Sequence, residues 1–296
     1  MRGRLLNHAK AKGEAFDLTL TRYALERFLY RLSLTTHKGE LILKGAMLFQ
    51  IWSQTPHRAT RDLDLLSQGD VNTDSIASMI REICGVELED DGLGFDLERF
   101  SVREIREEAE HGGVRAKFTA RLGSAKIPMQ IDFGGGDAVT PAARETKYPT
   151  ILDMEAPLVL AYPRETVVAE KLEAIVNLGM DNSRMKDYFD LWFIATTYRD
   201  DPATQAHAVQ RTFNRRHQAL PMQTPVGLTD RFATDGQKLV QWNAFRDRAI
   251  GGSLSLLEVV TVARAFAVPL FEMAADATDE ERESRGRVES LAKTLR

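Results

Sequence analysis

The stretch Asp62-Leu63-Asp64-Leu65-Leu66 limits what this chain can fold into more than any other part of it. Residues two apart on a strand share a face. A strand here therefore projects both carboxylates to one side and leaves Leu63, Leu65 and Leu66 to pack. Strands are depleted in aspartate, and two like charges side by side need a partner. Upstream, a short apolar run (Leu41, Ile42, Leu43) turns at Lys44-Gly45. An apolar segment from Ala46 to Trp52 and a polar loop then lead into the aspartate strand. Two acids on one face beside a glycine turn suit Mg²⁺ (or Mn²⁺) and a triphosphate. Mg²⁺ is held by one or two carboxylates together with phosphate oxygens, and glycine lets the backbone come close to phosphates. The D-x-D pattern is short, and its ordinary alternative is a solvated pair on an edge strand or at a turn. The flanking leucines argue against a turn.

The chain has 296 residues, 43% hydrophobic and 28% charged, a composition ordinary for a globular protein and enough for one large core or two usual ones. A net charge of −4 argues against a globally basic nucleic-acid binder and leaves a local basic patch open. Cys84 is the single cysteine, which excludes an internal disulfide or a thiolate cluster and points to a cytoplasmic protein. The N-terminus lacks the apolar core of a signal peptide, and no stretch approaches the ~20 apolar residues of a membrane span.

Apolar spacing predicts two helices over residues 4–35, with Arg22, Arg27 and Arg31 near one face. That face is either solvated or a basic wall for an RNA strand. Asn72 or Asp74 can cap a helix running to Cys84. Strand-like segments follow at 97–106, 114–122 and 127–133, with a loop at 107–113. The third carries Asp132, which is either a general base or second-metal ligand beside Asp62 and Asp64, or an acid that ends a strand at a glycine-rich turn. Residues 141–163 read as an extended, proline-punctuated connector. The expected division is a core with N-terminal helices over 1–160 and a helical region over 161–296. In the latter, the helix Arg164–Leu178 sets Lys171 at the edge of its buried face, suited to a solvated ion pair or to a phosphate. Asp187 and Asp190 share a face of the next helix. They hold Lys171, complete a site, or simply favour a helix N-terminus. Further helices are predicted at about 203–217, 229–248 and 254–274, with a basic cluster at Arg211, Arg215, Arg216 and His217, and with Trp242 and Phe245 as core.

The run Leu43-Lys44-Gly45-Ala46-Met47-Leu48-Phe49 and then Arg58-Ala59-Thr60-Arg61-Asp62-Leu63-Asp64-Leu65 resembles the opening of the AbiEii/AbiGii-type nucleotidyltransferase toxins. Ala169-Glu170-Lys171-Leu172-Glu173-Ala174 and Arg184-Met185-Lys186-Asp187-Tyr188-Phe189-Asp190-Leu191 resemble later motifs of the same family, in the same order. The resemblance spans about Leu5 to Ala195. It implies an α/β (α+β) polymerase-beta-like nucleotidyltransferase core with a small mixed sheet, followed by a helical region that contributes Lys171 and Asp187/Asp190 to the site. It also implies transfer of a nucleoside monophosphate from an NTP to an acceptor, with pyrophosphate leaving. Asp62 and Asp64 would bind the metal. Lys44, Gly45, Ala46, Arg58 and Lys171 would bind the nucleotide, and Asp132, Asp187 and Asp190 would serve the chemistry. The tRNA 3′ end is the implied acceptor and a co-encoded antitoxin the implied partner. One departure is that Ala46-Met47 stand where many members carry a hydroxyl residue, so backbone amides would have to serve the phosphates.

Other classes remain open at this level: a protein acceptor, a non-catalytic nucleotide- or partner-binding module, or a metal-dependent phosphohydrolase. The chain contains no G-x-x-x-x-G-K-[ST], H-E-x-x-H or G-x-S-x-G, which argues against a P-loop NTPase, a zinc protease and an α/β-hydrolase.

Overall fold

The computed structural model describes residues 1–53, 58, 60–88, 91–105 and 112–294, with side chains as far as residue 277. The polar loop at 54–57, Ala59 of the second resembling motif, and most of the expected 107–113 loop lie outside the described residues. The chain divides into two compact units, residues 1–137 with 143–162 and residues 138–142 with 163–296.

The first unit runs α1 (Arg2–Lys12), α2 (Phe16–Ser33), β1 (Leu41–Lys44), α3 (Leu48–Trp52), β2 (Asp62–Ser67), α4 (Thr73–Cys84), β3 (Leu93–Ile105), β4 (Gly113–Leu122), β5 (Ala125–Gly135), β6 (Arg144–Lys147) and β7 (Leu158–Ala161). The strands form one mixed sheet in the order β3-β4-β5-β2-β1-β7-β6. The β2–β5 and β1–β7 pairs are parallel and the others antiparallel. Alternation decides which way each strand faces. Ala116, Phe118 and Ala120 of β4 and Met129, Ile131 and Phe133 of β5 are buried, while the residues between them are partly or fully exposed. Helix α2 packs on β5 and β7, and α4 on β3 and β4. They bring Phe28, Leu29, Ile76, Ile80 and Ile83, all fully buried. Asn72 caps α4, its side-chain oxygen accepting from the Asp74 and Ser75 amides at 3.1 and 2.9 Å.

Two expectations are corrected in this unit. The 141–163 stretch is not only a connector, because it supplies β6 and β7. Strands of four residues carry too little periodicity to be seen in sequence, and the partner that ties β7 into the sheet, β1, is remote in the chain. Nor do α2's arginines form a basic wall. Arg27 and Arg31 are 2% exposed, and both reach Asp91, Arg31 through Oδ2 at 2.5 Å and Oδ1 at 3.3 Å. Arg22 pairs with Glu14 at 2.6 Å and with Gln50 at 2.8 Å. Burying guanidinium groups costs several kcal/mol each unless they are paired and fully hydrogen-bonded. Arg31 therefore also donates to the Val86 and Leu93 carbonyls, which fastens the segment between α4 and β3. Burial raises the Cys84 thiol to about 12, as suits an inert cysteine.

The second unit is helical, with α5 (Arg164–Leu178), α6 (Met185–Thr197), α7 (Pro202–Arg215), α8 (Asp230–Ala233), α9 (Gly236–Ala249) and α10 (Leu256–Thr294). The single helix expected at 229–248 is two. Asp235 accepts from the Gln237 and Lys238 amides at 3.0 Å each, and so restarts the helix. Trp242 is core, as expected, and its ring N–H donates to the Leu254 carbonyl at 2.9 Å. No helix among the described residues is long and apolar enough to cross a membrane.

Candidate active site

Strand β2 sits between β1 and β5, and its register fixes what faces the two aspartates. Asp64 lies opposite Lys44 on one side and opposite Asp132 on the other, and Asp132 lies opposite Arg115 of β4. Directly opposed residues share a face, so Lys44, Asp64, Asp132 and Arg115 form one row across four strands. Asp62 heads a second row, through Gln130 to Lys117. Leu63 and Leu65 point the other way into the core, with 0% and 1% exposure.

The glycine turn is tied to this face. Gly45 has φ of 73°, a left-handed conformation that side chains disfavour. A Cβ there would lie 2.0 Å from Asp64 Oδ2 and 2.7 Å from its Cγ. The Asp64 carboxylate thus occupies the space that a side chain at position 45 would need. Ala46 and Met47 are buried, so neither offers a side chain to solvent, and Arg58 is half-buried. Lys44 Nζ donates to Asp137 Oδ2 at 2.8 Å. Asp137, two residues beyond the end of β5, anchors that lysine.

Asp132 lies inside β5 rather than at its end. It takes both arms of one guanidinium, with Arg115 Nε to Oδ1 and Nη2 to Oδ2 at 2.7 Å each. That bidentate bond is the main cause of a raised Arg115 pKa, and the Asp62 and Asp64 carboxylates add to it. Among the described residues, no group of three or more His, Cys, Asp or Glu side chains is arranged to hold a metal ion. The Asp62–Asp64 pair fits a hard cation whose remaining oxygens come from phosphate and water.

In the second unit, α5 and α6 build a tighter constellation. Lys171 Nζ reaches Asp187 Oδ1 at 2.7 Å and Asp190 Oδ2 at 2.8 Å, and Arg184 Nε reaches Asp187 Oδ2 at 2.7 Å. Both aspartates are buried. Burial alone would raise the Asp187 pKa, but Lys171 and Arg184 outweigh it and hold the carboxyl below its usual range. Buried Lys238 donates to the Asn182 carbonyl at 3.0 Å, securing the turn that leads into α6.

Both constellations lie within the range that a family comparison matches. The model of the AbiEii nucleotidyl transferase toxins of type IV toxin–antitoxin systems matches residues 27–276. The chain belongs to this family. It is accordingly a nucleotidyltransferase, and the match extends beyond the resembling motifs through most of the helical unit. The crystal structure of JHP933 from Helicobacter pylori aligns with a TM-score of 0.50 at 12% identity, covering 95% of this chain and 97% of that one, a likeness of fold. A second H. pylori crystal structure, described only provisionally as a nucleotidyltransferase, aligns with a TM-score of 0.49 at 13% identity over 92% and 96% of the two chains. No curated protein matches the chain in sequence.

The residues that sequence reasoning missed are Arg115 and Lys117. Their alternation with Val114, Ala116 and Phe118 was legible. What sets them beside the acids is the β4–β5–β2 register, which no local pattern encodes.

Proposed function

We propose that the chain moves a nucleoside monophosphate from an NTP to the 3′ end of tRNA in a metal-dependent reaction, and that a co-encoded antitoxin restrains it. The observation that carries this reading is the Asp62–Asp64 pair, set on one face of β2 with Asp64 seated over Gly45. Asp62 and Asp64 would hold Mg²⁺ or Mn²⁺, which supplies charge neutralisation at the attacking and leaving oxygens. Phosphoryl transfer depends mostly on positioning and electrostatics. Lys44, the backbone at Gly45 and Ala46, and Arg58 would orient the triphosphate, with the amides standing in for the hydroxyl that Ala46-Met47 lack. In the second unit Lys171 would be a phosphate ligand, its ammonium fixed by Asp187 and Asp190. Asp132, with both oxygens on Arg115, orients that guanidinium beside the acid pair. For Asp132 to take a proton from the acceptor hydroxyl, the Arg115 pair would first have to part.

The test is to incubate the protein with Mg²⁺, each α-labelled NTP in turn and total tRNA, beside an Asp62→Ala/Asp64→Ala control. Label on RNA from one NTP, absent in the control and absent without Mg²⁺, is the expected result and names the nucleotide. Label on protein instead would replace the tRNA acceptor with a protein one. Release of free phosphate or cleaved RNA would mark a hydrolase.

A further inference from the structure

The same register that aligns the acids also aligns cations outward from them. Beyond Arg115, the first row continues to Arg103 of β3. Beyond Lys117, the second continues to Ser101. Arg103 and Lys117 are exposed and Arg115 is half-exposed, while Val114, Ala116 and Phe118 between them are buried. Helices α2 and α4 pack on the sheet and bury the apolar alternates, so these cations occupy the polar face. Arg121, further along β4 on the same face, is taken by Asp96 at 2.9 Å. Arg103 and Lys117 make no ion pair with a described carboxylate. The ordinary fate of exposed lysines and arginines is solvation. Here, however, three of them cluster on adjacent strands, and Asp132 holds the one nearest the acids in a fixed orientation.

We propose that this face, with Arg103, Arg115 and Lys117, is the surface along which the phosphates of a nucleic-acid acceptor run toward Asp62 and Asp64. The inference rests on the nucleotidyltransferase reading above and adds to it where the acceptor strand lies. The occupant is set by charge: three cations on two adjacent strands face the same way, and a polyphosphate backbone supplies closely spaced anions to meet them. Arg115 stands at the end beside the catalytic acids, and Lys117 and Arg103 hold phosphates farther out. Contacts of this kind give affinity without reading sequence, so they would secure any RNA with a free 3′ end. Choice among RNAs would have to come from other residues.

Fluorescein-labelled tRNA, titrated with the full chain at several salt concentrations, tests this directly. Each phosphate contact contributes about 0.7–0.9 to the slope of log affinity against log salt. The Arg103→Gln/Lys117→Gln double variant should therefore flatten the slope by roughly 1.4–1.8. Lys147→Gln, the loss of one cation on exposed β6, should leave the slope as it is. An unchanged slope in the double variant, or an equal change in Lys147→Gln, overturns the proposal. A wild-type chain that binds no tRNA yet places label on protein also overturns it, while leaving the nucleotidyltransferase reading intact. Loss of label transfer from all substrates, with tRNA binding and its slope difference preserved, would sink that reading and keep the surface.

Discussion

Two charge clusters in this protein have the same composition and opposite settings. On the sheet, Lys44 and Arg115 bracket Asp64 and Asp132. On the helices, Lys171 and Arg184 enclose Asp187 and Asp190. The sheet acids are reachable, with Asp62 exposed and the Asp132 side chain 14% exposed. The helix acids are shut in, at 1% and 0%. Carboxylates that water can reach exchange partners more cheaply than fully enclosed ones, because water takes part in the exchange. A buried pair cannot be opened so easily, because removing one partner leaves a charge stranded in low dielectric, a loss of about 3–5 kcal/mol. The strand cluster is thus suited to receiving ligand charge, and the helix cluster to keeping one ammonium in one place.

The sharpest test of that contrast is substitution on each side. Asp62→Asn should lower nucleotide transfer at least about a thousandfold, equivalent to roughly 4 kcal/mol of transition-state stabilisation. Its thermal midpoint should hardly move. Lys171→Met should show in a urea melt instead, losing about 3–5 kcal/mol of stability as two buried carboxylates lose the ammonium they share. A Lys171→Met protein as stable as wild type would mean that the helix cluster is as exchangeable as the strand one.

Gly45→Ala makes an intermediate case. A Cβ at 2.0 Å from Asp64 Oδ2 must push that carboxylate aside. The positive φ adds about 1–2 kcal/mol of backbone strain. Transfer should fall on the order of a hundredfold, about 2.7 kcal/mol by the rate–energy relation, with a stability loss confined to that strain. If transfer persists at the wild-type rate, the seating of Asp64 over the glycine is not what positions it.

Much of the strand cluster was legible in sequence. The Asp62/Asp64 alternation inside leucines, the Lys44-Gly45 turn and the strand carrying Asp132 are local signals, and the fold places each where its pattern implies. The partners were not legible. Arg115 on Asp132 and Asp137 on Lys44 join residues 17 and 93 positions apart, and only sheet register brings them together. In the helix cluster, the spacing of Asp187 and Asp190 gave a shared face, and the lysine they hold comes from the helix before. The α2 arginines show the converse failure. Helical spacing put them on one face, but only the fold reveals Asp91 waiting inside, and with it that the face is buried.

A buried carboxylate in the first unit sharpens the comparison through pH. Glu26 is as buried as Asp187, at 1% exposure each, yet its environment is poorer. It accepts the Ile151 amide at 2.7 Å and has Arg27 only at 3.9 Å. Burial therefore dominates and raises its pKa from 4.5 to about 7, whereas Lys171 and Arg184 keep Asp187 low. The two shifts act on stability with opposite signs. Glu26 keeps a proton in the folded state that the unfolded chain has already lost, so its contribution is full below about pH 4.5 and is lost as pH rises through about 7. At roughly 1.4 kcal/mol per unit, that loss is about 3 kcal/mol at most. Asp187 contributes above its ordinary range and loses that contribution only as pH falls into strong acid. Urea unfolding of the wild type between about pH 5 and 8 should therefore show stability falling with pH on Glu26's account. Glu26→Gln keeps an acceptor for the Ile151 amide and should flatten the fall. An identical pH profile in the variant would show that the carboxylate at Glu26 is charged in the fold, and that Arg27 serves it as well as Lys171 serves Asp187.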